Sequence, residues 1–204
     1  GERSSVWTDP NMRGPGGGSA VDTERRERAF QLGVQVTNLR AALPAGDREE
    51  AARAARLLHR LVDQDVAART LTETYQNLQT DIQQVRSLTE LLPRAQEAEV
   101  QLRETFFDDA FYFDFGKWTE AGYLSAQAQE PRFFADPKVR RFARALLWQD
   151  DQQVDAEAQK EVASIREILG RSDLGDSDYQ EIRARFERIL EVYYPTGRPA
   201  DSAV

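Results

Sequence analysis

The chain has 204 residues, 40% of them apolar and 30% charged, enough for one ordinary domain or two small ones with a real core. Its 35 carboxylates outnumber 27 lysines and arginines, and the net charge of −8 argues against a nucleic-acid partner. No run approaches the roughly 20 apolar residues of a membrane-spanning helix, and the absence of cysteine rules out disulfides, thiolate nucleophiles and Cys-ligated metals.

Residues 1–21 read as a flexible linker. Pro10, Gly14, Pro15, Gly16, Gly17, Gly18 and Ser19 cannot bury enough surface to order themselves. The chain starts Gly1-Glu2-Arg3 without a methionine, as an exported or lipid-anchored protein would after loss of a signal peptide. A cytosolic chain with a trimmed start would read the same. Lysine is scarce (Lys117, Lys138 and Lys160), so arginine supplies nearly all the cations. Acid excess with few lysines suits solubility in high salt, and a GC-rich genome would produce it too.

From about residue 20 the apolar periodicity is helical. A first helix is expected over 22–43, capped by Ser19 or Asp22, with Leu32, Val36, Leu39 and Leu43 on one face and Pro44 and Gly46 ending it. A second opens on a capping box of Asp47 and Glu50 and buries Ala54, Leu57, Leu58, Leu61 and Val62. The third has the clearest pattern. Leu71, Tyr75, Leu78, Ile82, Val85, Leu88 or Thr89, and Leu92 form a heptad seam about 32 Å long. That seam serves internal packing or a homodimer surface, so the chain is expected as a monomer or homodimer. Pro93 either kinks this rod or begins the next helix.

A fourth helix runs through Ala95, Leu102 and Phe106 into the aromatic run FFDDAFYFDFGKW, residues 106–118. Gly116 is expected to break it, leaving a short fifth helix over 117–129. Asp136 and Pro137 begin the next, with Val139, Phe142, Ala143, Leu146 and Leu147 inward, continuing through Val154, Ala158, Val162, Ile165 and Leu169 to Gly170. The last helix turns Tyr179, Ile182, Phe186, Ile189, Leu190 and Tyr193 inward, and Pro195 closes it. No segment alternates as a strand does. The expected fold is an all-α helical bundle of six or seven helices over 22–194, followed by a tail over 195–204.

The chemistry-bearing motifs are few. The tripeptide Asp114-Phe115-Gly116 lacks the glycine-rich loop, strand lysine and His-Arg-Asp loop of a kinase. The run GPGGGS lacks a phosphate loop's lysine. His59 is the sole histidine: it cannot supply the two Glu-x-x-His motifs of a di-metal carboxylate bundle, the sequence specifies no partners for a triad, and it reads as a boundary residue of the second helix. Asp173, Asp176 and Asp178 do not alternate as a calcium loop requires and are better used as helix caps. No metal, cofactor or catalytic residue is assigned. Asp108, Asp109, Asp114 and Glu120 are the carboxylates embedded among apolar residues, where burial could raise a pKa for acid–base work. The aromatics themselves read first as core. The functional alternative is an apolar pocket edged by Asp109, Tyr112, Asp114, Trp118 and Tyr123.

Two segments carry a resemblance. RAFQLGVQVTNL, from Arg28 to Leu39, resembles the first helix of a family of uncharacterised exported, often lipid-anchored, helical bacterial domains. GKWTEAGYLSA, from Gly116 to Ala126, is similar to their later Gly-x-Trp-x-Glu-x-x-Tyr-Leu stretch. Asn38 stands where that pattern has aspartate, and Gln35 where a tyrosine neighbour is common. The resemblance implies an all-α domain outside the cytoplasmic membrane, with no activity attached. It also reads Gly33 and Gly122 as points where helices approach closely. The expectation that results is a non-catalytic exported bundle that binds a partner protein or a small apolar ligand at the cell envelope, with a possible lipid anchor upstream. The alternatives are a hydrolase-type enzyme using the aspartates of the aromatic run, and a cytosolic helical regulator.

Overall fold

The computed structural model describes residues 20–147, 154–171 and 173–197, and all their side chains except those of residues 20, 21 and 107. The described residues are mostly helical and contain no strand: the chain is an all-α bundle. Residues 1–19, most of the expected linker, and residues 198–204, most of the expected tail, lie outside the description.

Helix α1 runs Ala20–Ala45 and α2 runs Arg48–Asp63. Asp22 therefore sits in the first turn of α1 and does not cap it, and Pro44 lies in the last turn. Gly46 makes the α1–α2 turn at φ +73°, in the left-handed region. Asp47 caps α2 as expected, its carboxylate accepting from the Glu50 amide at 3.0 Å. The Glu50 side chain instead takes Arg53, at 2.9 Å from Nε, so the box is half formed.

The long third helix divides into two. Helix α3 covers Thr72–Gln84, and α4 covers Leu92–Thr105 after a 3-10 turn at Leu88–Leu91. Val85 and Ser87 are extended, at ψ 147° and 125°. The cause lies outside the segment. Arg48, at the start of α2, donates to the carbonyls of Ile82 and Val85. Those acceptors are the ones a continuing helix would use, so the guanidinium substitutes for the missing turn. Of the heptad residues, Leu71, Tyr75, Leu78, Ile82 and Leu88 are buried, while Val85 and Leu92 on either side of the break are half-buried. Pro93 lies in the first turn of α4, where its missing amide costs nothing.

The aromatic run is also divided differently from the sequence reading. Phe106 ends α4, a 3-10 turn covers Phe107–Asp109, and α5 runs unbroken over Ala110–Gln127. Gly116 is thus a mid-helix residue, and no break falls between Phe113 and Lys117. A Cβ on Gly116 would fall on the Phe30 backbone, with Phe30 C at 2.9 Å, and one on Gly33 would fall on the Phe113 carbonyl, with Lys117 N at 3.0 Å. The two glycines lie on facing sides of one seam, where α1 and α5 touch backbone to backbone. Gly122 plays a related part, leaving space filled by the Phe186 ring. Left-handed Gln129, at φ +51°, ends α5, and the Glu130 amide closes onto the Ser125 carbonyl at 2.8 Å.

Helices α6 (Pro131–Ala135), α7 (Pro137–Leu147), α8 (Ala156–Ile168) and α9 (Asp176–Tyr193) complete the described chain. The expected continuous helix from Pro137 to Leu169 is therefore two helices, separated by a stretch that includes residues 148–153 outside the description. The bundle's axis is the pair α1 and α5. Arg25 meets Asp109 near their starts and Gly33 meets Lys117 further along, so the two run parallel. On α1 the residues Phe30, Leu32, Val34, Val36 and Leu39 are all buried, so this helix is enclosed on more sides than the single stripe anticipated. Helix α9 packs antiparallel on α5, with Tyr193 beside Tyr112 and Phe186 beside Trp118.

A polar cleft beside the aromatic core

The aromatic side chains are mutually packed. Phe30 stacks on Tyr193 at 4.1 Å between ring centroids and meets Phe115 edge-on at 5.2 Å. Trp118 meets Phe186 at 4.9 Å and Phe142 at 6.0 Å. These offset and T-shaped contacts are those that ring quadrupoles favour. Phe113 and Phe115 are wholly inaccessible.

The five residues expected to edge a pocket are not gathered around one. Asp109 pairs with Arg25 at 2.8 Å. Its pKa is nonetheless raised, because loss of water outweighs the attraction of Arg25 and Arg26. Asp114 faces α4 and takes Arg103 at 2.8 Å, which pushes the arginine's pKa up through that hydrogen bond. Trp118 is core, its indole N–H donating to the Val139 carbonyl at 3.3 Å. Tyr112 and Tyr123 line separate cavities. The two aspartates therefore engage different helices. The last of the candidate carboxylates, Asp108, is exposed, whereas Glu120 is buried.

The larger of these cavities is a cleft of about 520 Å3 between α1, α2 and α5. Gln35 and Asn38 line its α1 side, Glu120, Tyr123 and Gln127 its α5 side, and Glu50 and Arg53 its α2 side. Gln35, Asn38 and Glu120 are 5%, 8% and 2% exposed, yet all three are polar and all face the cleft. Buried polar groups are costly unless a partner satisfies them. Gln35 spends its amide on the Tyr194 hydroxyl at 3.2 Å. Arg53 balances Glu50, while Asp47, Glu50 and Glu120 together leave the lining with more carboxylate than cation. The Arg183 guanidinium sits 5.3 Å from the Tyr123 ring and donates to its hydroxyl at 3.2 Å, fixing the tyrosine at the rim.

Glu120 and Tyr123 were recognisable from sequence as candidates. Gln35, Asn38, Glu50, Arg53 and Gln127 were missed, and Leu57, expected in the buried stripe of α2, is only half-buried and lines the cleft. A second electrostatic feature joins the same helices. Glu99 of α4, 7% exposed, takes Arg40 of α1 at 3.1 Å and Lys117 of α5. Its charge and, first of all, burial push the Tyr75 phenol up. Among the described residues no group of three or more acidic or histidine side chains is placed to hold a metal ion. Asp178, one of the loop carboxylates, accepts the Gly175 amide at 2.9 Å and pairs with Arg171, and both contacts hold its pKa down. No helix among the described residues is long and apolar enough to cross a membrane. The sequence matches no protein-family model, and no curated protein or solved structure matches it.

Proposed function

We propose that this is a non-catalytic binding domain whose α1–α2–α5 cleft takes a small polar molecule bearing positive charge. The observation that carries this reading is the placement of Gln35, Asn38 and Glu120, nearly inaccessible and polar, along one cleft of about 520 Å3. That volume is in the range of small-molecule sites, whose selectivity comes from a few placed polar groups. The carboxylate excess favours a cation, and the carboxamides offer acceptors for its N–H groups. A polar ligand replaces the apolar one anticipated from the aromatics, because the aromatics pack against each other.

The test is calorimetric titration with 1,4-diaminobutane, with 1,4-butanediol as the uncharged counterpart. The diamine is expected to bind saturably and the diol not. Ala41 lies exposed on the cleft wall, so Ala41→Phe should weaken diamine binding at least tenfold while leaving the melting temperature unchanged. Equal binding of the diol, or an Ala41→Phe variant that binds as the parent does, contradicts the reading.

An envelope setting is part of the proposal. It is supported by the Gly/Pro-rich run at 10–19 and by the resemblance of the segments 28–39 and 116–126 to exported domains. Gln35 and Asn38 of the first segment line the cleft together with Glu120, Tyr123 and Leu124 of the second. Expressed from its complete gene, the protein should fractionate with the envelope or the medium, and recovery in the cytosol would refute that part.

A further inference from the structure

Helices α6 and α7 oppose the charge of the rest of the chain. Over residues 131–147, Arg132, Lys138, Arg140, Arg141 and Arg144 stand against a single carboxylate, Asp136, in a protein of net charge −8. All five cations are exposed, and none forms an ion pair among the described residues. Asp136 is used as a cap, accepting from the Lys138 amide at 2.8 Å. Helix α7 turns Val139, Phe142, Ala143 and Leu146 to the core, so its cations share the outer face. Spacings of three and four set Lys138 beside Arg141, and Arg144 beside both Arg140 and Arg141. Like charges so placed repel and destabilise a helix, and an anionic partner laid on the face relieves the repulsion. The segment 148–153 that follows carries only Asp150 and Asp151, too few carboxylates to balance it.

A cavity of about 310 Å3 opens beside this face, between α6, α7, the end of α8 and the start of α9. Phe134, Leu169, Leu174 and Tyr179 give it an apolar lining, and Arg140, Arg171 and Asp173 a polar one. Arg171 is engaged by Asp178. Arg140 donates its Nε to the Phe134 carbonyl at 2.8 Å, and its two Nη groups have no partner among the described residues. Arg140 therefore joins the cationic face to a concave apolar space, and that combination selects among anionic partners. A bilayer surface does not enter a concavity, and the apolar side of α7 is already spent on the core. Single-stranded nucleic acid stacks on exposed rings, whereas Phe134 and Tyr179 are 1% and 7% exposed. An acidic polypeptide segment fits both parts: arginine forks take its carboxylates, and one apolar side chain enters the cavity. Helix α7 is about 16 Å long, the reach of about five extended residues.

We propose that the α6–α7 face docks an acidic segment of a partner protein, with Arg141 and Arg144 taking its carboxylates and the cavity beside Arg140 taking an apolar side chain. The site is separate from the polar cleft and does not depend on that cleft's function. The test is fluorescence anisotropy of the full chain with the labelled peptide Glu-Glu-Leu-Glu-Glu. The peptide should bind saturably, and at least tenfold more weakly in high salt, since exposed charges are screened. Gln-Gln-Leu-Gln-Gln should not bind, and Glu-Glu-Gly-Glu-Glu should bind at least fivefold more weakly than the leucine peptide. The double variant Arg141→Glu, Arg144→Glu should lose binding yet melt at or above the parent temperature, since it removes like-charge pairs. Ala135 is exposed and lines the cavity, so Ala135→Phe should abolish the preference for leucine over glycine. Ala41→Phe, altered in the polar cleft, should bind the peptide as the parent does. The proposal is overturned if the leucine peptide shows no saturable binding, if the glutamine or glycine peptide binds equally, or if the charge-reversed variant binds like the parent. Tighter binding to oligo(dT) or to phosphatidylglycerol vesicles than to the peptide also overturns it, in favour of a nucleic-acid or a membrane partner.

Discussion

Gly116→Ala should destabilise the protein by about 2–3 kcal/mol, lowering its melting temperature by roughly 5–10 °C. On a free helix the same change would be a gain of about 1 kcal/mol, because glycine is a poor helix former. The sign reverses because of what the new methyl would meet. Its position lies on the Phe30 backbone, with Phe30 C at 2.9 Å and Cα at 3.1 Å. A side chain could rotate away from such a contact, but the backbone of α1 can yield only if the helix shifts. Gly33→Ala presses on the same seam from the other side, against the Phe113 carbonyl, and should cost a similar amount. The two changes should not add, since the first already separates the helices that the second would push apart. Gly46→Ala serves as the control. Its Cβ would meet nothing within 4 Å, so only the left-handed φ of +73° opposes it, at about 1 kcal/mol. Thermal or urea unfolding of the three variants decides the point. A Gly116→Ala protein as stable as its parent would mean that α1 and α5 do not touch as described.

Trp118→Ala should be the more damaging change, at about 3–5 kcal/mol. Trp118 is 7% exposed and packs on Phe115, Phe142 and Phe186 at 6.3, 6.0 and 4.9 Å. Truncation therefore removes dispersion contacts from three rings and leaves a cavity that the bundle cannot fill by local movement. Trp118→Phe isolates the polar component. It keeps most of the apolar area and loses the indole donor to the Val139 carbonyl, at about 1 kcal/mol. Were Trp118 instead the wall of an open pocket, the alanine variant would fold with nearly parental stability and lose only ligand affinity. Equilibrium denaturation separates the two outcomes.

Much of the fold could be read from periodicity. The last helix, its inward residues and its N-terminal acids agree with α9 as found, and the Asp47 cap of α2 was visible as a spacing. What could not be read were interactions made by distant residues. The heptad seam from Leu71 to Leu92 gives no local reason to stop at Val85. The reason is Arg48, some 37 residues earlier, which satisfies the carbonyls left by the break. Gly116 was weighed by its helix propensity, a local quantity, whereas its part is set by Phe30 on another helix. In contrast, the close-approach reading agrees with the structure at Gly33, which meets the backbone of α5, whereas at Gly122 the space is taken by the Phe186 ring.

The site shows the same division. Sequence directs attention to clustered aromatics, and those aromatics turn out to be packed on each other. The polar cleft draws one or two residues from each turn of three helices, so no window of the sequence contains a recognisable cluster. Only α1–α5 contact brings Gln35 and Asn38 within the same wall as Glu120 and Gln127. Tyr112 shows a related limit. Its burial follows from pattern, but that its hydroxyl lacks a partner is visible only once α9 brings Tyr193 beside it.

The most direct test of the binding proposal is a 1H–15N correlation titration of the full chain with 1,4-diaminobutane. The proposal predicts saturable shifts confined to the cleft, at Gln35, Asn38, Glu50, Arg53, Glu120 and Gln127, with the amides of Phe113 and Phe115 unmoved. No saturable shift, or shifts centred on the aromatic segment in place of the cleft, would contradict it.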